Sequence, residues 1–304
     1  MNIGRSKLYR LAMAVAIALP VMALSGKVSA IEITQDTVAA SLVATLLGTT
    51  TGLTVTGSSL SGHVDGAAAS SGTYTNVPGT YGISPGIVLS SGNVSEYDTG
   101  ANTAVGNTTS FGGFNASAAT APQEVLLDQI TGGALDHFDA TQLDITFDVD
   151  LGVSSVFFNV VFGSEEFAEF VASPFIDAFG IFLNGVNIAT FAGDTVNIDH
   201  PNMATIGGTE LDGILDPTSG GGDPIMLFQG LVTPGSTGNL ISFIIADSND
   251  SILDSTVFIE GFGTRAPIGG TPGGGFTEIP EPASLAILGF GLALIGLTRR
   301  KMAV

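Results

Sequence analysis

The chain has 304 residues, with 28 acidic and 8 basic side chains, a formal net charge of −20 and no cysteine. A surface this negative repels phosphate backbones and anionic lipid, which excludes nucleic acid as a partner and leaves membrane contact to apolar segments alone. Without thiols there are no disulfides and no cysteine nucleophile.

In chain order, residues 1–30 read as a secretory signal peptide. Arg5, Lys7 and Arg10 precede an apolar run from Leu11 to Leu24, and Val28-Ser29-Ala30 supplies small residues for cleavage. The run is short for a membrane span. Residues 31–265 then form one unit, long enough for a single large domain with a sizeable core. The basic residues are confined to the two ends, so 31–264 contains no Lys or Arg, yet it holds every acid except Glu278 and Glu281. No carboxylate there can pair with a Lys or Arg of its own stretch. Each must be solvated, capped by backbone N–H groups, protonated or bound to a cation.

Thr37 to Leu47 carries apolar residues at helical spacing and ends at Gly48, which predicts one short N-terminal helix. Gly48 to Thr80 is dense in Gly, Ser and Thr, with Leu53 to Leu60 as a strand between turns. Ile87 to Leu89 is a short buried strand, and Thr99 to Pro122 reads as a polar loop. From Leu143 to Val149 apolar residues alternate with Asp144, Thr146 and Asp148, the pattern of a half-buried strand. Ser155 to Phe162 is nearly all apolar, as a central strand covered on both faces would be. Phe179–Leu183, Asn187–Phe191, Ile225–Val232, Leu240–Ala246 and Ser255–Phe262 complete a series of short strands. The expected fold class is all-β, a β-sandwich of many short strands in preference to a barrel.

Residues 266–279 are a Gly/Pro-rich linker, and 280–304 are a separate tail. Pro280-Glu281-Pro282 precedes an apolar stretch from Ala283 to Leu297, then Arg299, Arg300 and Lys301. A helix over that stretch would rise roughly 22 Å, short for a hydrocarbon core of about 30 Å, with its basic end held on the cytoplasmic side. Read alone, this is a tail anchor. The tripeptide, short helix and Arg cluster together resemble the PEP-CTERM sorting signal. The resemblance implies recognition by exosortase in a Gram-negative bacterium that makes exopolysaccharide, and processing that could remove the helix.

Two acidic clusters carry the remaining chemistry. Glu165 and Glu166 follow the central strand, with Asp177 shortly after, and Asp247, Asp250 and Asp254 lie in the turn between the last two strands. Calcium takes six to eight oxygens from carboxylates, carbonyls and water, and these turns offer them. The second cluster is not an EF-hand, because it lacks the required glycine and has Phe258 at the twelfth position. Solvated turns in which Asp and Asn bond their own backbone are the competing reading, and both stay open.

Val156 to Leu183 and Leu240 to Gly261 resemble the two core motifs of the choice-of-anchor L domain. Supporting pieces are Gly86-Ile87-Val88-Leu89-Ser90-Ser91-Gly92, Asn187-Ile188-Ala189 and Asp212-Gly213. Phe167 stands where that family often has Tyr, and Ile176 where it often has Asn. The resemblance implies an extracellular, β-rich domain and does not imply an enzyme.

An enzyme is not expected. His63, His137 and His200 are scattered, read as surface or capping residues, and no Gly-x-Ser-x-Gly elbow is present. Glu165 and Glu166, as neighbours on extended chain, would not flank one glycosidic bond. Residues 31–264 hold no Trp and only Tyr74, Tyr81 and Tyr97, few platforms for stacking sugars. The expectation is a structural or adhesive surface or matrix protein with a structural calcium site. A carbohydrate-binding module for exopolysaccharide is the alternative, and a secreted hydrolase comes after it. Expected partners are exosortase-type machinery and exopolysaccharide or other surface proteins.

Overall fold

Alternating strands must hide one face each, and here they do so as two sheets laid against each other. The computed structural model describes residues 31–273, except 49–50, 78, 99, 105, 113–116, 134 and 268. The signal peptide read at 1–30 and the tripeptide, helix and Arg cluster read at 280–304 lie outside the described residues. Among the described residues, no helix is long and apolar enough to cross a membrane.

The strands of the two sheets are β1 (Ile31–Gln35), β2 (Leu53–Ser61), β3 (Ser71–Asn76), β4 (Gly86–Ser90), β5 (His137–Val149), β6 (Ser155–Ser164) and β7 (Ala178–Leu183), followed by β8 (Val186–Asn187), β9 (Met203–Ala204), β10 (Gly213–Leu215), β11 (Met226–Leu231), β12 (Asn239–Ser248), β13 (Ser255–Gly263) and β14 (Thr271–Pro272). The larger sheet runs β1-β3-β4-β13-β6-β10-β9, and β11 lies beside β6 below β10 with β14 outside it. The smaller sheet runs β8-β7-β12-β5-β2. All pairings are antiparallel except that of β14 with β11. The β-sandwich expected from the strand pattern is therefore the fold.

β6 shows why its sequence is continuously apolar. Val156, Phe158, Val160 and Phe162 enter the core between the sheets, while Val161 joins a second cluster on the outer face with Tyr74, Tyr97 and Phe258. Phe158 sits between Phe243 and Phe262, with both ring centroids at 5.2 Å. In β5 one face is covered more fully than the other, so the predicted alternation survives: Leu143, Ile145 and Phe147 are buried and Asp144 and Thr146 half-buried.

Helix α1 is Ala39–Leu47 and packs Leu42, Val43 and Leu46 into the core. It starts two residues later than the expected Thr37, because Asp36 Oδ1 accepts the Val38 N–H and holds Val38 extended. A second helix, α2 (Ala121–Thr131), was not expected. It begins inside the predicted 99–122 loop, where Gln123 Oε1 accepts the Thr120 N–H, and Leu127 and Ile130 cover the outer face of the smaller sheet. The strand expected over Asn187–Phe191 breaks in two, because Asn187 Oδ1 accepts the Ala189 N–H and turns the chain. The expected linker also contributes structure, since β14 pairs with Met226 and Leu227 and the Gly273 N–H donates to Leu227 O.

Candidate metal centre

Four strand ends meet at one end of the sandwich. β6 finishes at Ser164 and delivers Glu165 and Glu166, Asp177 immediately precedes β7, Asp247 lies near the end of β12, and Asp254 immediately precedes β13. The registers Ala246↔Ala178 and Ser255↔Ser164 hold these ends side by side. Five of the six predicted ligands are thereby buried: Glu165 is 2 % exposed, Glu166 1 %, and Asp177, Asp247 and Asp254 0 %. Asp250 lies at the rim of the same turn, half-buried, and its Oδ1 accepts the Ile252 N–H.

The hydrogen bonds at this end are incomplete. Asp177 is satisfied, Oδ1 by the Ser248 N–H at 3.1 Å and Oδ2 by the Ser255 hydroxyl at 2.9 Å. Glu165 Oε2 accepts from Asn107 N and Asp254 Oδ2 from Thr109 N, but Glu165 Oε1, Glu166 Oε2, Asp254 Oδ1 and both oxygens of Asp247 have no partner. The nearby Ser91 hydroxyl eases the charge on Asp247 without reaching hydrogen-bonding geometry to either oxygen. The Tyr97 hydroxyl, also fully buried, is unpartnered too. Asp216 makes the contrast: at 0 % exposure its Oδ1 accepts from Thr218 N and its Oδ2 from Gly222 N, both at 2.8 Å.

Burial sets the electrostatics and mutual repulsion adds to it. Loss of solvent pushes Glu165 up to about 8 against backbone hydrogen bonds that pull it down. It pushes Glu166 up to about 9, with Asp250 and Asp247 adding to the rise. Asp177, Asp247 and Asp254 all stand well above the usual carboxylate range, first through burial and then through the charge of another carboxylate, respectively Glu166, Asp177 and Asp247. In Asp216 burial also pushes upward, but the hydrogen bonds outweigh it and hold the group low. The cluster thus has a demand for positive charge that protein groups do not meet.

Sequence reasoning missed Asp139, which is 0 % exposed and accepts the Phe111 and Ser117 N–H groups; burial pushes it up to about 6. It also missed what the polar loop does. Its backbone is strung along carboxylates, with Thr103 N and Ala104 N on Glu210, Asn107 N on Glu165 and Thr109 N on Asp254. A signal existed: with no Lys or Arg in residues 31–264, the spare N–H groups of a long irregular loop are the natural donors.

The Gly86-to-Gly92 motif is explained by close approach at both ends. A Cβ on Gly86 would overlap Ile259 O, and one on Gly92 would overlap the Asp254 carboxylate.

Elsewhere the chemistry is closed. Glu124, Asp128 and His137 form the one group of three ligand-type side chains, among the described residues, whose ligand atoms lie within 4.8 Å of one another. His137 Nδ1 is 2.6 Å from Glu124 Oε2 and its Nε2 is 3.2 Å from the Thr131 hydroxyl, so this imidazole is already committed. His137 and His200 are buried rather than at the surface, and His200 bonds Phe191 O and accepts from Asn202 N. His63 stacks on Phe111 at 5.1 Å. Tyr74, Tyr81 and Tyr97 are all buried, so none offers a sugar-stacking face. At the opposite end of the sandwich a cavity of about 520 Å³ is lined by Asp150, Ser154, Ser155 and Arg265, with no histidine or cysteine on its wall.

The choice-of-anchor L domain family matches residues 30–212, and the PEP-CTERM protein-sorting motif matches residues 278–301. The first match takes in Glu165, Glu166 and Asp177 but stops before the 240–261 motif, although β12 and β13 are interior strands of the two sheets. No curated protein and no solved structure matches the chain.

Proposed function

The chain belongs to the choice-of-anchor L domain family, and on that footing we propose that it is a non-catalytic structural or adhesive protein of the bacterial surface or extracellular matrix, with calcium bound in the acidic cluster. The coarser part is given by the two matches. The PEP-CTERM motif implies recognition by exosortase-type sorting machinery, hence export and membrane-associated sorting to the cell surface. Beyond that machinery, the surface partners on this reading are exopolysaccharide or neighbouring surface proteins of a Gram-negative cell.

One observation carries the calcium reading: five buried carboxylate oxygens lack any partner, and residues 31–264 contain no Lys or Arg to supply one. A hard cation is the group that such oxygens accept, and calcium tolerates the irregular geometry of turns better than magnesium does. A ligand that binds only the fold stabilises it by about 2.7 kcal/mol at a hundredfold excess over Kd. For a domain of this size that corresponds to a melting rise of roughly 5 to 10 °C. Calcium should produce the rise in the purified full chain and EDTA should reverse it. Asp247→Ala and Asp254→Ala should lose the response, whereas Asp65→Ala, on an exposed ribbon, should keep it. Equal calcium shifts in all four proteins would reduce the effect to general charge screening and defeat the reading.

A further inference from the structure

We propose that residues 274–277 continue β14 along the open edge of β11, so that Phe276 covers Leu231 and the Gly/Pro-rich linker docks on the larger sheet. The occupant of that edge is this chain's own next segment, and the inference is independent of the calcium reading.

β14 begins a ladder that β11 has room to prolong. Thr271 N donates to Ile225 O and Gly273 N to Leu227 O, both at 2.8 Å, in the register Met226↔Thr271 and Leu227↔Pro272. β11 runs on to Leu231, yet among the described residues no strand lies outside it past Leu227. Val232 N donates to Ser154 O, on the β6 side. Main-chain groups alternate between the two neighbours of a strand, so those of Gln229 and Leu231 face away from β6, as those of Leu227 do. An edge left open in this way is a template for one more strand. The chain reaches it travelling in the right direction, because a parallel partner advances with β11 and Gly273 is the last described residue.

The side-chain pattern fits the same register. Paired residues of a ladder project to one face, and a Cβ on Gly273 would lie 2.6 Å from Phe228 Cε1, the residue opposite it when the register is continued. Further along, Gly274 falls opposite Gln229, Gly275 opposite Gly230 and Phe276 opposite Leu231. The Gly230 position faces the core and is crowded: a Cβ there would be 2.7 Å from Leu183 Cδ2 and 3.3 Å from Ile188 Cδ1. Glycine at 275 suits that restriction. Leu231 is the reverse case, 54 % exposed, and it lines a cleft of about 360 Å³ with Val186, Ile188 and Gln229. Val186 is itself 64 % exposed. Phe276 is the first large apolar side chain after Pro272, and the register brings it to the position that lacks an apolar cover.

The consequence concerns sorting. The PEP-CTERM motif matches residues 278–301, so a ladder that runs through Thr277 leaves no free tether between the sandwich and the signal.

The test uses the absence of tryptophan from the chain. Phe276→Trp in the full chain should give blue-shifted emission that is shielded from acrylamide. Adding Leu231→Asp, at an exposed position, should shift the emission to the red and open it to the quencher. Emission from folded Phe276→Trp that matches the urea-unfolded chain overturns the proposal. Shielding that survives Leu231→Asp also overturns it, because the ring is then buried elsewhere. Shielding that disappears on dilution overturns it in favour of a second copy's segment on the same edge. Hydrogen exchange reads the ladder without tryptophan: the Gln229 and Leu231 amides should exchange roughly tenfold more slowly in wild type than in Phe276→Asp. Equal rates in the two proteins overturn the ladder.

Discussion

Replacing Gly92 by alanine tests whether the backbone around the cluster is as crowded as it looks. A Cβ there would overlap Asp254 Oδ2 and Cγ and lie 2.8 Å from its Cβ. Neither side can step back easily. The Gly92 N–H is held by the Ser90 hydroxyl and Ser91 N by Ser255 O. Asp254 is pinned through its own N–H on Asn107 O and its carbonyl on Glu165 N. The methyl group is therefore accommodated by swinging the Asp254 carboxylate off the Thr109 N–H, now at 2.9 Å. A lost hydrogen bond to a charged group costs about 1.5 to 3 kcal/mol, and overpacking adds about 1 to 3 kcal/mol. The sum implies a melting temperature lower by something on the order of 10 °C. Thermal melts in calcium and in EDTA measure it, with Gly152→Ala as control because nothing lies within 4 Å of a Cβ there. Calcium affinity should fall in parallel, since the displaced carboxylate is a proposed ligand. A Gly92→Ala protein that melts within 2 °C of wild type and binds calcium normally would refute the reasoning.

The pH dependence in chelator should run downhill. Glu165, at about 8, and Glu166, at about 9, keep protons in the fold that the unfolded chain gives up near 4.5. The fold therefore binds more protons between these limits, and raising pH through that window destabilises it. Melting in EDTA should be higher at pH 5.5 than at pH 8, with calcium removing most of the difference; a melting temperature that climbs with pH in EDTA contradicts this. Phe158→Ala removes a ring held between Phe243 and Phe262 and should cost about 3 to 5 kcal/mol in chemical denaturation, with a loss under 1 kcal/mol counting against the packing described. Replacing Pro280-Glu281-Pro282 by alanines should leave export intact and stop delivery to the surface, which cell fractionation reads directly.

Strand patterns with one dominant partner were the legible part of the chain. The alternation of Leu143 to Val149 and the apolar run of Ser155 to Phe162 each report burial that a single strand imposes on itself, and both matched the sheets. The convergence of Glu165, Glu166, Asp177, Asp247 and Asp254 was legible for a different reason: each flanks an apolar strand, and strand ends gather at the ends of a sandwich. α2 was not read, because its first turn hides in a polar segment and its apolar face touches only the outside of a sheet. Asp139 was missed because its role depends on Phe111 and Ser117, which the chain brings to it only through the fold. Asp250 stays half-buried at the rim of its turn, because sequence proximity to Asp247 and Asp254 does not decide which side chain turns inward.

The positions of β12 and β13 bear on how an exported chain comes to be folded. Thr256 pairs with Ser90, and Asn239 with Phe147, so strands made early wait for strands made late. A chain that crosses a membrane with its N-terminus leading has neither sheet complete until residues 239–263 have emerged. Until then β4 and β6 in one sheet, and β5 and β7 in the other, lack the neighbour that joins them. Closing such distant pairings is slow, and open strand edges invite pairing with other chains. The net charge of −20 then acts before the fold exists, keeping emerging chains apart, and β12 and β13 act as a clasp that shuts once they have cleared the membrane.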